Sequence, residues 1–131
     1  MALLPQLKLL ISLARTDGTV GEKEEHYIYN IGSANGLSAD AIRPLFAIHH
    51  ELIVPNDLTD DQKFNYLFSL VQLMKIDERM YQDEIRFCSR VAARLGYDQT
   101  VIFDLLMHVK SAMGPNEKED LKKLTARYLG R

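Results

Sequence analysis

A chain of 131 residues, 47% of them apolar and 26% charged, is long enough to bury a core without a metal or disulfide staple and should fold throughout as one domain, residues 1–131. Its single cysteine, Cys88, excludes an internal disulfide and any Cys-rich metal cluster. A net charge of −2 gives no general pull toward nucleic acid or anionic lipid, so no nucleic-acid partner is expected, although residues 1–65 sum to −4 and residues 66–131 to +2.

Apolar residues recur at helical spacing along nearly the whole chain, and no alternating β-branched run competes, so the expected fold is all-α. The first helix is read over roughly Leu3 to Arg15, with Leu3, Leu7, Leu10 and Ala14 on one stripe, and the second over roughly Glu22 to Asn35, stopping at Gly36. Ser38 caps a third, whose apolar face is Ile42, Leu45 and Phe46. Pro55 marks Leu52 to Leu58 as the connector between two halves. Thr59 and Gln62 form a capping box for a fourth helix through Phe64, Leu67, Phe68, Val71 and Met74. A fifth helix carries Ile85, Cys88, Val91, Ala92 and Leu95 and ends at Gly96. Asp98 is the expected cap of a sixth, which Gly114-Pro115 breaks, and Asn116 with Glu119 is the expected cap of a seventh, about 116–129. Tyr66 to Met74, the most apolar segment, is too short to span a bilayer, and the N-terminus lacks a signal peptide's basic region and cleavage site. A cytoplasmic protein with no transmembrane segment is expected.

Shifted against itself by sixty positions, the chain matches without a gap: Leu7, Leu10 and Ile11 fall on Leu67, Leu70 and Val71, Asp17 on Asp77, Glu24 on Glu84, Ile28 on Cys88, and Gly36 on Gly96. Apolar periodicity alone would align any two helical stretches, whereas acids and helix-ending glycines in one register indicate a true repeat. Repeat one covers about 3–51 and repeat two about 59–113, which predicts a compact bundle of about seven helices related by a pseudo-twofold.

The first repeat contains Leu10-Ile-Ser-Leu-Ala-Arg-Thr-Asp17-Gly18-Thr-Val20, then Glu24 and Gly36-Leu37, and the second contains Leu70-Val-Gln-Leu-Met-Lys-Ile-Asp77-Glu78-Arg-Met80, then Glu84 and Gly96-Tyr97. This pattern resembles the TerB-like family, which includes tellurite-resistance proteins and the N-terminal domain of a membrane-bound co-chaperone. The resemblance implies a helical binding or adaptor module with a stress-response role and protein partners. It also implies a divalent metal, Ca²⁺ or Mg²⁺ sooner than Zn²⁺, held by Asp17, Glu24, Asp77 and Glu84. The same residues have a structural reading, because each Glu falls three residues after an expected N-cap, where it would reach back to cap its own helix. In that alternative the chain is a pure protein-interaction module.

No Gly-rich phosphate loop, nucleophile elbow or zinc-binding helix is present, so an enzyme is not expected. Arg86, Arg90 and Arg94 recur every four residues on the fifth helix, a stripe that would suit an acidic partner or serve only as a solvated face. Cys88, on an apolar stripe, reads as an inert core thiol.

Overall fold

Two segments of this chain are apolar on nearly every side, and a helix of that kind has to lie in the interior. They become the centre of the molecule. The computed structural model describes residues 3–16, 20–48, 50–76, 82–110 and 112–129. Among these it contains seven α-helices and no strand beyond an isolated bridge between Tyr97 and Leu129: α1 (Leu3–Ala14), α2 (Glu22–Ala34), α3 (Ala39–Ile42), α4 (Asp60–Ile76), α5 (Gln82–Leu95), α6 (Val101–His108) and α7 (Pro115–Thr125). Helix α1 buries Leu3, Leu7, Leu9, Leu10, Ile11, Leu13 and Ala14, and α4 buries nine residues from Phe64 to Met74. The two pack directly on each other, with α2 against α1 and α5 against α4.

The flanking helices each bury one narrow stripe. In α2 it is Glu24, Ile28 and Gly32, and in α5 it is Glu84, Cys88 and Ala92 with Val91 and Leu95, so residues four apart line up on the inward side. The packing partners also come in pairs at the sixty-residue offset: α2 meets α3 as α5 meets α6, and α2 touches α4 as α5 touches α1.

Both flanking helices stop by the same device. The Leu37 N–H donates to the Gly32 carbonyl and the Gly36 N–H to that of Ser33; sixty residues on, the Tyr97 N–H donates to Ala92 and the Gly96 N–H to Ala93. This 6→1 and 5→2 closure needs a left-handed residue, and Gly36 and Gly96 have φ of +92° and +96°.

Several boundaries differ from the sequence reading for identifiable reasons. Pro44 lacks an N–H, and after Ile42 the third helix continues as a 3₁₀ segment, Arg43–Ala47. Helix α6 ends at His108, six residues before Gly114, because α4 takes over the next carbonyls: Lys75 Nζ donates to Val109 O at 2.6 Å and Gln72 Nε2 to Lys110 O at 2.9 Å. The Asp98 carboxylate accepts from the Thr100 N–H at 3.0 Å and closes a turn ahead of α6, whose flanking residue is Thr100. The seventh helix starts at Pro115, not after Asn116; Pro suits the first helical position, and Glu117 accepts from the Gly114 N–H at 3.3 Å in the role expected of Glu119. It closes at Thr125 with a 3₁₀ turn, Ala126–Tyr128. The Ser38 cap and the Thr59–Gln62 box form as read, with both reciprocal bonds present in the box.

Nothing lies within 4 Å of a Cβ added at Gly36, so the cost of a side chain there comes from the backbone alone. Gly36→Ala and Gly96→Ala are each expected to lower unfolding free energy by about 1–2 kcal/mol with an unchanged circular dichroism spectrum, measured by urea denaturation. Equal stability for either variant would mean that the helix end relaxes out of the left-handed region.

Candidate functional site

Of the four acids selected from the sequence, Asp17 and Asp77 lie outside the described residues. Glu24 and Glu84 are both buried, at 9% and 5% exposure, although each sits in the first turn of its helix. Their position explains this: each occupies the first rung of its helix's buried stripe. The Gly21 N–H donates to Glu24 Oε1 at 3.3 Å, which gives one N-terminal donor of α2 a partner. The chemistry is that of a hard oxygen donor placed on the positive end of a helix. A carboxylate has two oxygens, so capping by one does not preclude ligation by the other. Among the described residues, no group of three or more His, Cys, Asp or Glu side chains converges as a metal site.

The arginine stripe of α5 separates into three environments. Arg86 lies 3.6 Å from Asp83 on the surface, and Arg90 is exposed. Arg94 donates to the Leu52 carbonyl at 2.5 Å and ties the connector to the bundle, as Arg15 does at Ile48 with a 2.6 Å bond. Cys88 is fully buried, and burial, reinforced by the Glu84 carboxylate, pushes its thiol pKa up, away from the reactive thiolate. Tyr29 stacks on Phe46 with ring centroids 5.5 Å apart.

A site that the sequence reading did not select lies where α1, α2, α4 and α7 meet. It is an open groove of about 520 Å³ lined by Gln6, Tyr27, Asn30, Asn65, Gln72 and Lys118 among others, with Ile31, Ala34 and Phe68 supplying apolar surface. Part of its polar lining is fixed by internal bonds. The Tyr27 hydroxyl donates to Gln72 Oε1 at 2.6 Å, the Gln72 amide holds the Lys110 carbonyl, and Gln6 Nε2 donates to Ser69 Oγ at 3.1 Å. Burial raises the Tyr27 pKa, so this hydroxyl stays a donor across the working pH range. Asn30 and Asn65 are exposed, and neither side chain forms a hydrogen bond among the described residues.

Lys118 is the cation of the groove. It is half-buried, its Nζ lies 4.7 Å from the centre of the Phe68 ring, and no carboxylate is within ion-pairing distance among the described residues. Desolvation lowers its pKa from the usual lysine value. Its α7 neighbours are engaged elsewhere: Glu117 lies 3.7 Å from Lys110, and Lys122 pairs with Asp61.

A second polar cluster anchors the C-terminal turn. The Tyr128 hydroxyl donates to Asp104 Oδ2 at 2.5 Å and Arg127 Nη2 donates to the same oxygen at 2.9 Å, while the Asp98 N–H donates to the Tyr128 carbonyl at 2.7 Å. No family model, no curated protein and no solved structure matches this chain.

The Tyr128 and Arg127 hydrogen bonds hold the Asp104 carboxyl below its ordinary pKa. A carboxylate with a depressed folded-state pKa stabilises the fold above its unfolded pKa, about 4, and loses that contribution as pH falls through the folded value. Acidification below about pH 4 is therefore expected to release the C-terminal turn, read as lower protection factors of the Asp98 and Leu129 amides, that is, exchange corrected for its intrinsic pH dependence. Tyr128→Phe should exchange faster already at neutral pH and show a weaker acid dependence. An identical pH profile in wild type and variant would sever the link to Asp104.

Proposed function

We propose that this chain is a TerB-like helical adaptor that binds an extended segment of another protein without performing chemistry on it. The observation that supports this reading best is the open groove with its amide-rich lining. A carboxamide presents a donor and an acceptor side by side and can pair with both groups of one peptide unit. Asn30 on α2 and Asn65 on α4 offer such pairs, and the volume lies in the range of ordinary ligand clefts. The resemblance to TerB-like proteins supplies the adaptor role and the stress-response setting. The pairing of helix contacts at the sixty-residue offset supports the pseudo-twofold expected from the internal repeat.

The test is selection of random dodecapeptides on the full chain, followed by amide chemical-shift mapping. Bound peptides should perturb α2 and α4 around Asn30 and Asn65, and the Asn30→Ala, Asn65→Ala double variant should bind about thirty-fold more weakly, as two hydrogen bonds near 1 kcal/mol each would require. Absence of selected peptides, or perturbation confined to another face, would remove the reading.

The burial of both Glu24 and Glu84 favours a second reading, in which Asp17, Glu24, Asp77 and Glu84 hold a Ca²⁺ or Mg²⁺ ion. Hard oxygen donors suit these ions, and binding to the native state raises its stability by about 2.7 kcal/mol at a hundred-fold excess over Kd. Thermal melting in millimolar CaCl₂ or MgCl₂ against chelator is then expected to show a higher Tm for wild type and none for the Glu24→Gln, Glu84→Gln double variant. An unchanged wild-type Tm with either cation would leave these carboxylates as helix caps alone.

A further inference from the structure

The groove contains three kinds of chemistry whose combination narrows its occupant. The two exposed carboxamides match peptide units, and Ile31, Ala34 and Phe68 give apolar surface for a side chain between them. Lys118 adds a positive charge at the α7 side, held over the Phe68 ring. A half-buried ammonium is costly to keep charged, and the ring quadrupole offsets only part of its lost hydration. The remaining need is for an anion, and none of the carboxylates among the described residues supplies one. By contrast Lys122, one turn further along α7, is partly buried and has Asp61.

We infer that the groove takes a peptide segment bearing a carboxylate, an Asp or Glu side chain or the partner's C-terminal carboxylate, and that Lys118 above Phe68 is its anchor. This rests on the reading that the groove receives a peptide, and it adds which peptides. The carboxylate would pair with Lys118 Nζ while the neighbouring backbone runs past Asn65 and Asn30. A short-range ion pair in a half-buried place is screened less than one on the open surface, so it contributes to choice of partner as well as to rate of encounter. A basic segment is disfavoured by the same charge.

The experiment uses the full chain and two random dodecapeptide libraries, one displayed with free carboxyl termini and one with both ends blocked. Peptides selected from either should carry a carboxylate at a recurrent position. For a selected peptide, affinity by fluorescence anisotropy should fall about ten-fold in Lys118→Gln, remain in Lys118→Arg, and fall as salt is raised. C-terminal amidation and Asp→Asn or Glu→Gln replacement in the peptide then separate the two carboxylate sources, since only the one that is used should lose affinity. Peptides that perturb Asn30 and Asn65 but show no acidic preference and bind Lys118→Gln as tightly as wild type would overturn the anchor and leave the peptide groove standing. Failure to select any peptide, or binding on another face, would overturn both. The Lys118→Gln fold is checked by its thermal melt, and loss of binding shared by Lys118→Arg would show that shape, not charge, is read at this position.

Discussion

Helices α1 and α4 have little surface they can turn to water, and their apolar residues must be buried. Leu7, Leu10, Ile11, Leu67, Leu70 and Val71 are all at or below 1% exposure, and the two helices satisfy the constraint first against each other. Each fully buried side chain of this size contributes about 1.5–3 kcal/mol relative to exposure, so separating this pair would cost more than any polar feature of the molecule could restore. What surrounds the pair is set by what it leaves uncovered. Helices α2 and α5 cover one flank each with narrow stripes, and the short third helix and α6 close the remaining ends. This economy explains why the flanking helices are polar over most of their surface.

The narrow stripe also explains the buried glutamates. An inward stripe at four-residue spacing, extended to the helix N-terminus, places its first rung at the third helical position, where the backbone needs an acceptor. An apolar residue there would leave an N–H without a partner, whereas a glutamate fits the buried stripe through its methylenes and turns its carboxylate back to the helix end. At Glu24 this geometry is explicit in the Gly21 bond. The positive end of the helix favours the carboxylate itself at this position.

Much of this was legible from one sequence because the repeat supplied an internal comparison. Gly36 with Gly96 and Glu24 with Glu84 are weak signals singly; their shared register marked the glycines as helix stops and singled out the glutamates, of which Glu24 accepts the Gly21 N–H at its helix end. Capping chemistry within a few residues, as at Ser38 and Thr59, was equally readable. Features decided by distant parts of the chain were not. The end of α6 depends on Lys75 and Gln72, which remove the carbonyls of residues 109 and 110 from the helix. Lys118 looks like any surface lysine in a run of charged residues, and the ring beneath its ammonium, Phe68, lies fifty positions earlier. The groove shares that difficulty, since Gln6, Asn30, Asn65 and Lys118 come from four helices and no short pattern joins them.

The groove lies where the two repeats differ. At the sixty-residue offset Gln6 corresponds to Tyr66, Asn30 to Arg90, Ala34 to Arg94, Asn35 to Leu95, Phe68 to Lys8 and Ser69 to Leu9. The residues that make the core are interchangeable between copies, because burial asks only for apolar volume at a given register. Several of those lining the groove are not: Ile31 and Tyr27 keep similar counterparts in Val91 and Phe87, but Gln6, Asn30, Ala34 and Phe68 correspond to Tyr66, Arg90, Arg94 and Lys8, and Arg94 fastens the connector at Leu52. Lys118 belongs to α7, beyond the residues matched at the sixty-residue offset, and so has no counterpart within the matched segments. With Asn30 matched to Arg90 and Gln6 to Tyr66 at the offset, and with α7 placed beside the groove, the two flanks present different chemistry although they share a core register.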